Sequence, residues 1–151
     1  MRIDDLYKKL AVINESLKDI IHDSEYDEFD DLSGVEMDNK DPEQRLLREE
    51  LSRVLDYIDR ASCTLSYISQ PIAFSGTLHK QDNGRYALGG YELTSGSGIE
   101  ALVPCEIYSE EQNEYIEGSE WVASRLEHNG KDYYLVGHKD IQLEGLVARR
   151  R

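Results

Sequence analysis

The sequence predicts an α+β protein: an N-terminal antiparallel helical hairpin over residues 1–70, then a small antiparallel β-sheet or partly open β-barrel of about five strands over 71–151. Three observations carry this. Two apolar stripes of helical period fill the first part, the period switches to alternation after Pro71, and Asp-Asn-Gly, Gly-Ser-Gly and Asn-Gly turn signals punctuate the second part.

In the first 21 residues Ile3, Leu6, Leu10, Ile13, Leu17 and Ile20 recur at alternating spacings of three and four, a strict heptad stripe. Asp4 with Lys8 and Asp5 with Lys9 form favourable i,i+4 pairs, and both aspartates sit where the helix dipole favours negative charge. A second helix is predicted to open at "DPEQ", with Asp41 as N-cap, Pro42 in the first turn and Gln44 completing a capping-box pattern. Leu47, Leu51, Val54, Ile58, Ala61, Leu65 and Ile68 form its stripe until Pro71 stops the run, about 28 residues in all. The two stripes are expected to pack on each other as the seam of the hairpin. A two-helix seam leaves flanks uncovered, which makes a homodimer through it a live extension.

Residues 22–41 join the helices with nine acidic groups and one lysine, and a structureless connection is the expectation. The register of "DSEYDEFDDLSG" invites comparison with a calcium loop. Glu28 stands where such a loop needs its turn glycine and Gly34 where it needs a bidentate glutamate, so an EF-hand is rejected.

After Pro71 the segments "FSGTLHK", "RYALGGYEL", "IEALVPCEIY", "EWVASRLEH" and "KDYYLVGHK" read as strands, with Asn129-Gly130 the firmest hairpin signal. "GSGIEA", residues 96–101, formally satisfies a dinucleotide-binding pattern. Such a motif must open a helix whose N-terminus holds the pyrophosphate, and here an alternating, proline-containing strand follows. The glycines are therefore read as turn residues. Residues 105–120, "CEIYSEEQNEYIEGSE", hold six glutamates and no base, and are read as an acidic hairpin loop.

With 31 acidic and 17 basic residues the net charge is −14, which argues against direct binding to nucleic acid or to an anionic membrane. Cys63 and Cys105 lack the density and spacing of a disulfide framework, and residues 1–21 have neither a signal-peptide nor a membrane-span pattern. A cytoplasmic protein beginning at Met1 is expected. His22, His79, His128 and His138 have no partners at metal-ligand spacing, and no pair of carboxylates is singled out for acid and base roles. No enzyme activity, catalytic residue, metal or cofactor is expected.

The runs "GTLHKQDNGRYALGGYELTSGSGIEALV" and "WVASRLEHNGKDYYLVG" resemble a small β-rich domain of unknown function carried by proteins of Gram-positive bacteria, their phages and conjugative elements, over about residues 74–138. The resemblance implies neither a catalytic residue nor a cofactor, and it implies a neighbourhood of mobile DNA. Tyrosine among acids suits a protein-facing surface, and carboxylates can occupy a groove built to neutralise phosphates. The leading expectation is therefore a non-enzymatic inhibitor of a basic, nucleic-acid-handling host protein such as a nuclease, of anti-CRISPR or anti-restriction type. Its contact residues are Glu106, Tyr108, Glu110, Glu111, Glu114, Tyr115 and Glu117, with Asp27, Glu28, Asp30 and Asp31 second. The alternative is an adaptor or oligomerisation module acting through the helical hairpin, with the charge serving solubility.

Overall fold

The computed structural model describes residues 1–27 and 32–151, which divide into two compact units, Met1–Gln70 and Pro71–Arg151.

The first unit is a helical hairpin of α1, Ile3–Ser24, and α2, Pro42–Ser69. Helix α1 ends where Glu25 takes a left-handed conformation, φ 51°, and the Glu25 and Tyr26 amides donate to the carbonyls of His22 and Ile21. The described part of the connection is structured, which corrects the expectation for 22–41. Residues 22–24 are helical, Tyr26 bridges Leu32, and the Gly34 amide donates to Ser24 O at 3.2 Å. A β-carbon on Gly34 would lie 2.4 Å from the Asp23 carbonyl oxygen, so only glycine lets the chain return this closely onto the end of α1. Asp41 caps α2 by accepting from the Glu43 amide at 2.9 Å, while Gln44 reaches back to donate from its Nε2 to Asp41 Oδ2 at 3.2 Å and to accept from the Asp38 amide at 2.7 Å.

The helices run antiparallel, since Asn14 donates to Ser66 Oγ while Ile20 and Ser24 share a groove with Leu47, Leu51 and Leu55. Their contact is only in part the predicted seam: of the stripe residues Leu17, Ile58 and Leu65 are half-buried, whereas the buried positions are Asn14 and Ser24 on α1 with Ser52, Leu55 and Ser62 on α2, all but Ser24 one residue past a stripe position. Small serines at 52 and 62 let the backbones approach, and the apolar stripes turn partly outward: Ile13 is 50% exposed, Ile20 46%, Leu47 49%, Leu51 51% and Val54 47%.

The second unit is a curled antiparallel sheet, a half-barrel of seven strands instead of about five: β1 Phe74–Lys80, β2 Tyr86–Leu88, β3 Tyr91–Leu93, β4 Gly98–Ser109, β5 Glu114–His128, β6 Tyr133–Leu135 and β7 Val147–Arg150. Their order is β3-β2-β1-β7-β4-β5-β6. Two strands were hidden in the sequence. Gly89 and Gly90, both at positive φ, split "RYALGGYEL" into the hairpin β2–β3. The arginine-rich β7 pairs with both β1 and β4, with Ala148 fully buried between them, although its composition reads as a solvated tail. Leu78, Leu88, Leu93, Ile99, Val103, Leu126 and Leu135 form the core. No helix among the described residues is long and apolar enough to cross a membrane.

Candidate functional site

Strands β4 and β5 pair in unbroken register from Gly98↔Arg125 to Ser109↔Glu114, whereas β7 accompanies β4 only at Glu100 and Ala101, and β6 accompanies β5 only at 126–128. Residues 102–109 and 114–121 therefore form a two-stranded ribbon with no third strand along it among the described residues. Pro104 fits there because the outer edge of β4 has no ladder partner to lose. The segment read as an acidic loop at 105–120 is thus mostly strand, and the turn is confined to 110–113. Alternation in "CEIYS" and "EYIEG" supplies the strand pattern that the glutamates obscure in composition.

That register gathers the seven expected contact residues of this segment. Glu106 faces Glu117 and Tyr108 faces Tyr115, so all four lie on one face of the ribbon; Glu114 pairs with Ser109, and Glu110 and Glu111 occupy the turn. The two tyrosine rings meet edge to face at 5.4 Å, with residue exposures of 49% and 68%. The turn is pinned by Asn113, which is left-handed at φ 56°, donates its amide to Ser109 O at 2.7 Å and accepts the Tyr108 hydroxyl proton at 2.6 Å. The opposite face carries Ile107 and Ile116, and Ile107 folds over Gly118, where a β-carbon would lie 2.3 Å from its Cδ1.

The electrostatic contrast with the rest of the sheet is sharp. Glu92, Glu100, Glu127 and Asp132 are each ion-paired, with Arg85, with Arg149 and Arg151, with Arg125 and with Lys80 respectively, and Glu144 is hydrogen-bonded to the His79 ring at 3.0 Å and to the Lys80 amide at 2.7 Å. Lys80 and the Tyr133 amide hold the Asp132 carboxyl below its ordinary value; His79 and the Lys80 amide do so for Glu144, Arg85 and Asn83 for Glu92, and Ser95 and Arg125 for Glu127. The six ribbon glutamates, Glu120 included, are all exposed and none makes an ion pair with a described residue. Directly opposed like charges such as Glu106 and Glu117 destabilise a ribbon, so this tip is held against its own repulsion.

Sequence reasoning missed the root of the ribbon. Trp121, 41% exposed, carries the Arg149 guanidinium 4.1 Å from its ring, and Arg149 and Arg151 converge on Glu100, itself only 5% exposed. The adjacent "EWV" and "ARRR" give no hint of this, because residues 100, 121 and 149 meet only through the sheet. Of the second group, Asp27 is exposed at the end of α1's exit turn, while Glu28, Asp30 and Asp31 lie outside the described residues. Among the described residues no group of three His, Cys, Asp or Glu side chains is placed to hold a metal ion.

Residues 76–150 match the family model of a domain of unknown function (DUF5348). The match takes in the ribbon and β7, running twelve residues past the resemblance read from sequence, and leaves the helical unit outside. No match was found among curated proteins or among solved structures.

Proposed function

We propose that the chain is a non-enzymatic binding protein of mobile genetic elements whose acidic, tyrosine-bearing ribbon docks on the basic groove of a nucleic-acid-handling host protein such as a nuclease, in the manner of an anti-CRISPR or anti-restriction inhibitor. The observation that carries the reading is the set of exposed glutamates gathered on one ribbon without an ion-pair partner among the described residues, while Glu92, Glu100, Glu127 and Asp132, four of the seven other carboxylates of this unit, are ion-paired. A Lys/Arg-lined groove exchanges phosphate counterions for such carboxylates, and the paired tyrosines add contact area at low entropic cost. The mobile-element setting rests on the sequence resemblance.

The test is capture from nuclease-treated host lysate on the tagged full chain, eluted by rising salt, beside a variant carrying Glu106→Gln, Glu110→Gln, Glu111→Gln, Glu114→Gln and Glu117→Gln. The expected outcome is a DNA- or RNA-binding protein released at moderate salt, bound at least about 10-fold more weakly by the variant and with a shallower salt slope. Equal capture by both forms, with no salt dependence, would remove the acidic ribbon as the contact. The outward apolar stripes of the hairpin favour the second reading, an oligomerisation module, which is compatible with the first.

A further inference from the structure

The hairpin does not consume its own apolar surface. Within the described part of residues 1–70 the only buried apolar side chains are Leu32 and Leu55, with Ala11, Leu17, Ile21, Ile58 and Leu65 half-buried beside them; the other buried positions are Asn14, Ser24, Ser52 and Ser62. Two helices of 22 and 28 residues depend on burying an amphipathic face, and this contact buries mainly small and polar groups. The Asn14 Oδ1 atom is buried there with no hydrogen-bond partner among the described residues.

What remains outside is continuous and lies on one side. Leu10, Ile13 and Ile20 share one face of α1 at spacings of three and seven, as Leu47, Leu51 and Val54 share one face of α2 at spacings of four and three. Ile20 lines one apolar groove, of about 410 Å³, with those three α2 residues, which places both stripes on the same side of the hairpin. With Leu6 and Ile68 at the far ends of the same stripes, eight aliphatic residues are between 37% and 51% exposed, and the face offers on the order of 700 Å² of apolar surface. That approaches the roughly 800 Å² each partner contributes to a standard interface.

We propose that the occupant is a second copy of this chain, seated face to face about a two-fold axis so that two hairpins close into a four-helix bundle. The heptad spacing of both stripes is the pattern that bundle seams use, and an isologous contact needs only one patch to be complementary to itself. Charge permits it. The two helices together hold ten acids and seven bases, so the helical faces are close to balanced, and Glu36 of the acidic connection lines the groove beside Arg48. A bundle of this kind also gives the molecule two acidic ribbons.

Sedimentation of the full chain should return twice the 17.3 kDa chain mass, and its unfolding midpoint should rise with protein concentration. Leu51→Glu with Val54→Glu, at positions already half exposed in one copy, should keep its helical circular dichroism at low temperature while the dimer dissociation constant rises at least about 100-fold. The five-glutamine ribbon variant should stay dimeric, separating this proposal from the function proposed above. A wild-type chain that is monomeric up to about 100 µM would overturn the proposal and leave the face to a different protein. So would a dimer that survives both stripe substitutions.

Discussion

Lys80 and Asp132 meet at 2.6 Å on the surface of the sheet unit, with each side chain 40% or more exposed, and the consequence is a definite sign of pH dependence. Asp132 titrates below its ordinary value when folded, because of Lys80 first and the Tyr133 amide second. Its contribution is present above the unfolded carboxylate value and is lost as pH falls through the lower folded one. Lys80 is raised, chiefly by its hydrogen bond to Asp132, so its share is present below its ordinary value and is lost only as pH rises through the raised one. Asp132→Asn should therefore lower the thermal midpoint slightly at neutral pH, as solvent-screened pairs do, and converge with wild type near pH 2. A scan of midpoint against pH for both proteins checks this; parallel curves down to about pH 2 would show that the pair contributes no pH dependence.

The ends of α2 were legible because each is specified by local chemistry. Asp41 and Pro42 fix its start and Pro71 stops its run, so the helix is the 28 residues that the spacing gives. Asp41→Ala should cost about 1 kcal/mol of the hairpin's stability by leaving the Glu43 amide without its acceptor, read as a lower urea midpoint with unchanged slope. The phase of the hairpin contact was not legible. Periodicity tells which residues share a face but not which neighbour that face meets, and Ser52, Ser62 and Asn14 look solvated in sequence although they form the close approach. The ribbon was half legible: its residues were named, yet six glutamates masked an alternation that the register Glu106↔Glu117, Tyr108↔Tyr115 makes plain. Strand β7 was not legible at all, since arginines in a central strand survive only by lying over Trp121 and Tyr91 and against Glu100.

On the scale of the whole molecule the two units differ in how they are held. The buried apolar cluster of the sheet unit draws only on residues after Pro71, from Leu78 to Ala148. A chain of residues 71–151 should accordingly unfold in a single cooperative transition by itself, with a midpoint independent of concentration, whereas the helical signal of residues 1–70 alone should melt at a midpoint that falls on dilution; calorimetry of the first and thermal circular dichroism of the second against concentration measure both. Non-cooperative melting of 71–151 would contradict the independence of that core. The strand order adds a consequence for assembly. Strands β1 to β3 form one meander and β4 to β6 another, each from neighbours in sequence, and the four residues of β7 are what joins them. Either meander can form early, but the sheet becomes one body only when Phe74 finds Arg150 across the length of the domain, a closure whose entropic cost must be met before any contact rewards it. Folding of this unit is therefore gated by its last strand, and a nick before Val147 would leave a bipartite sheet that a peptide bearing β7 could complete in trans.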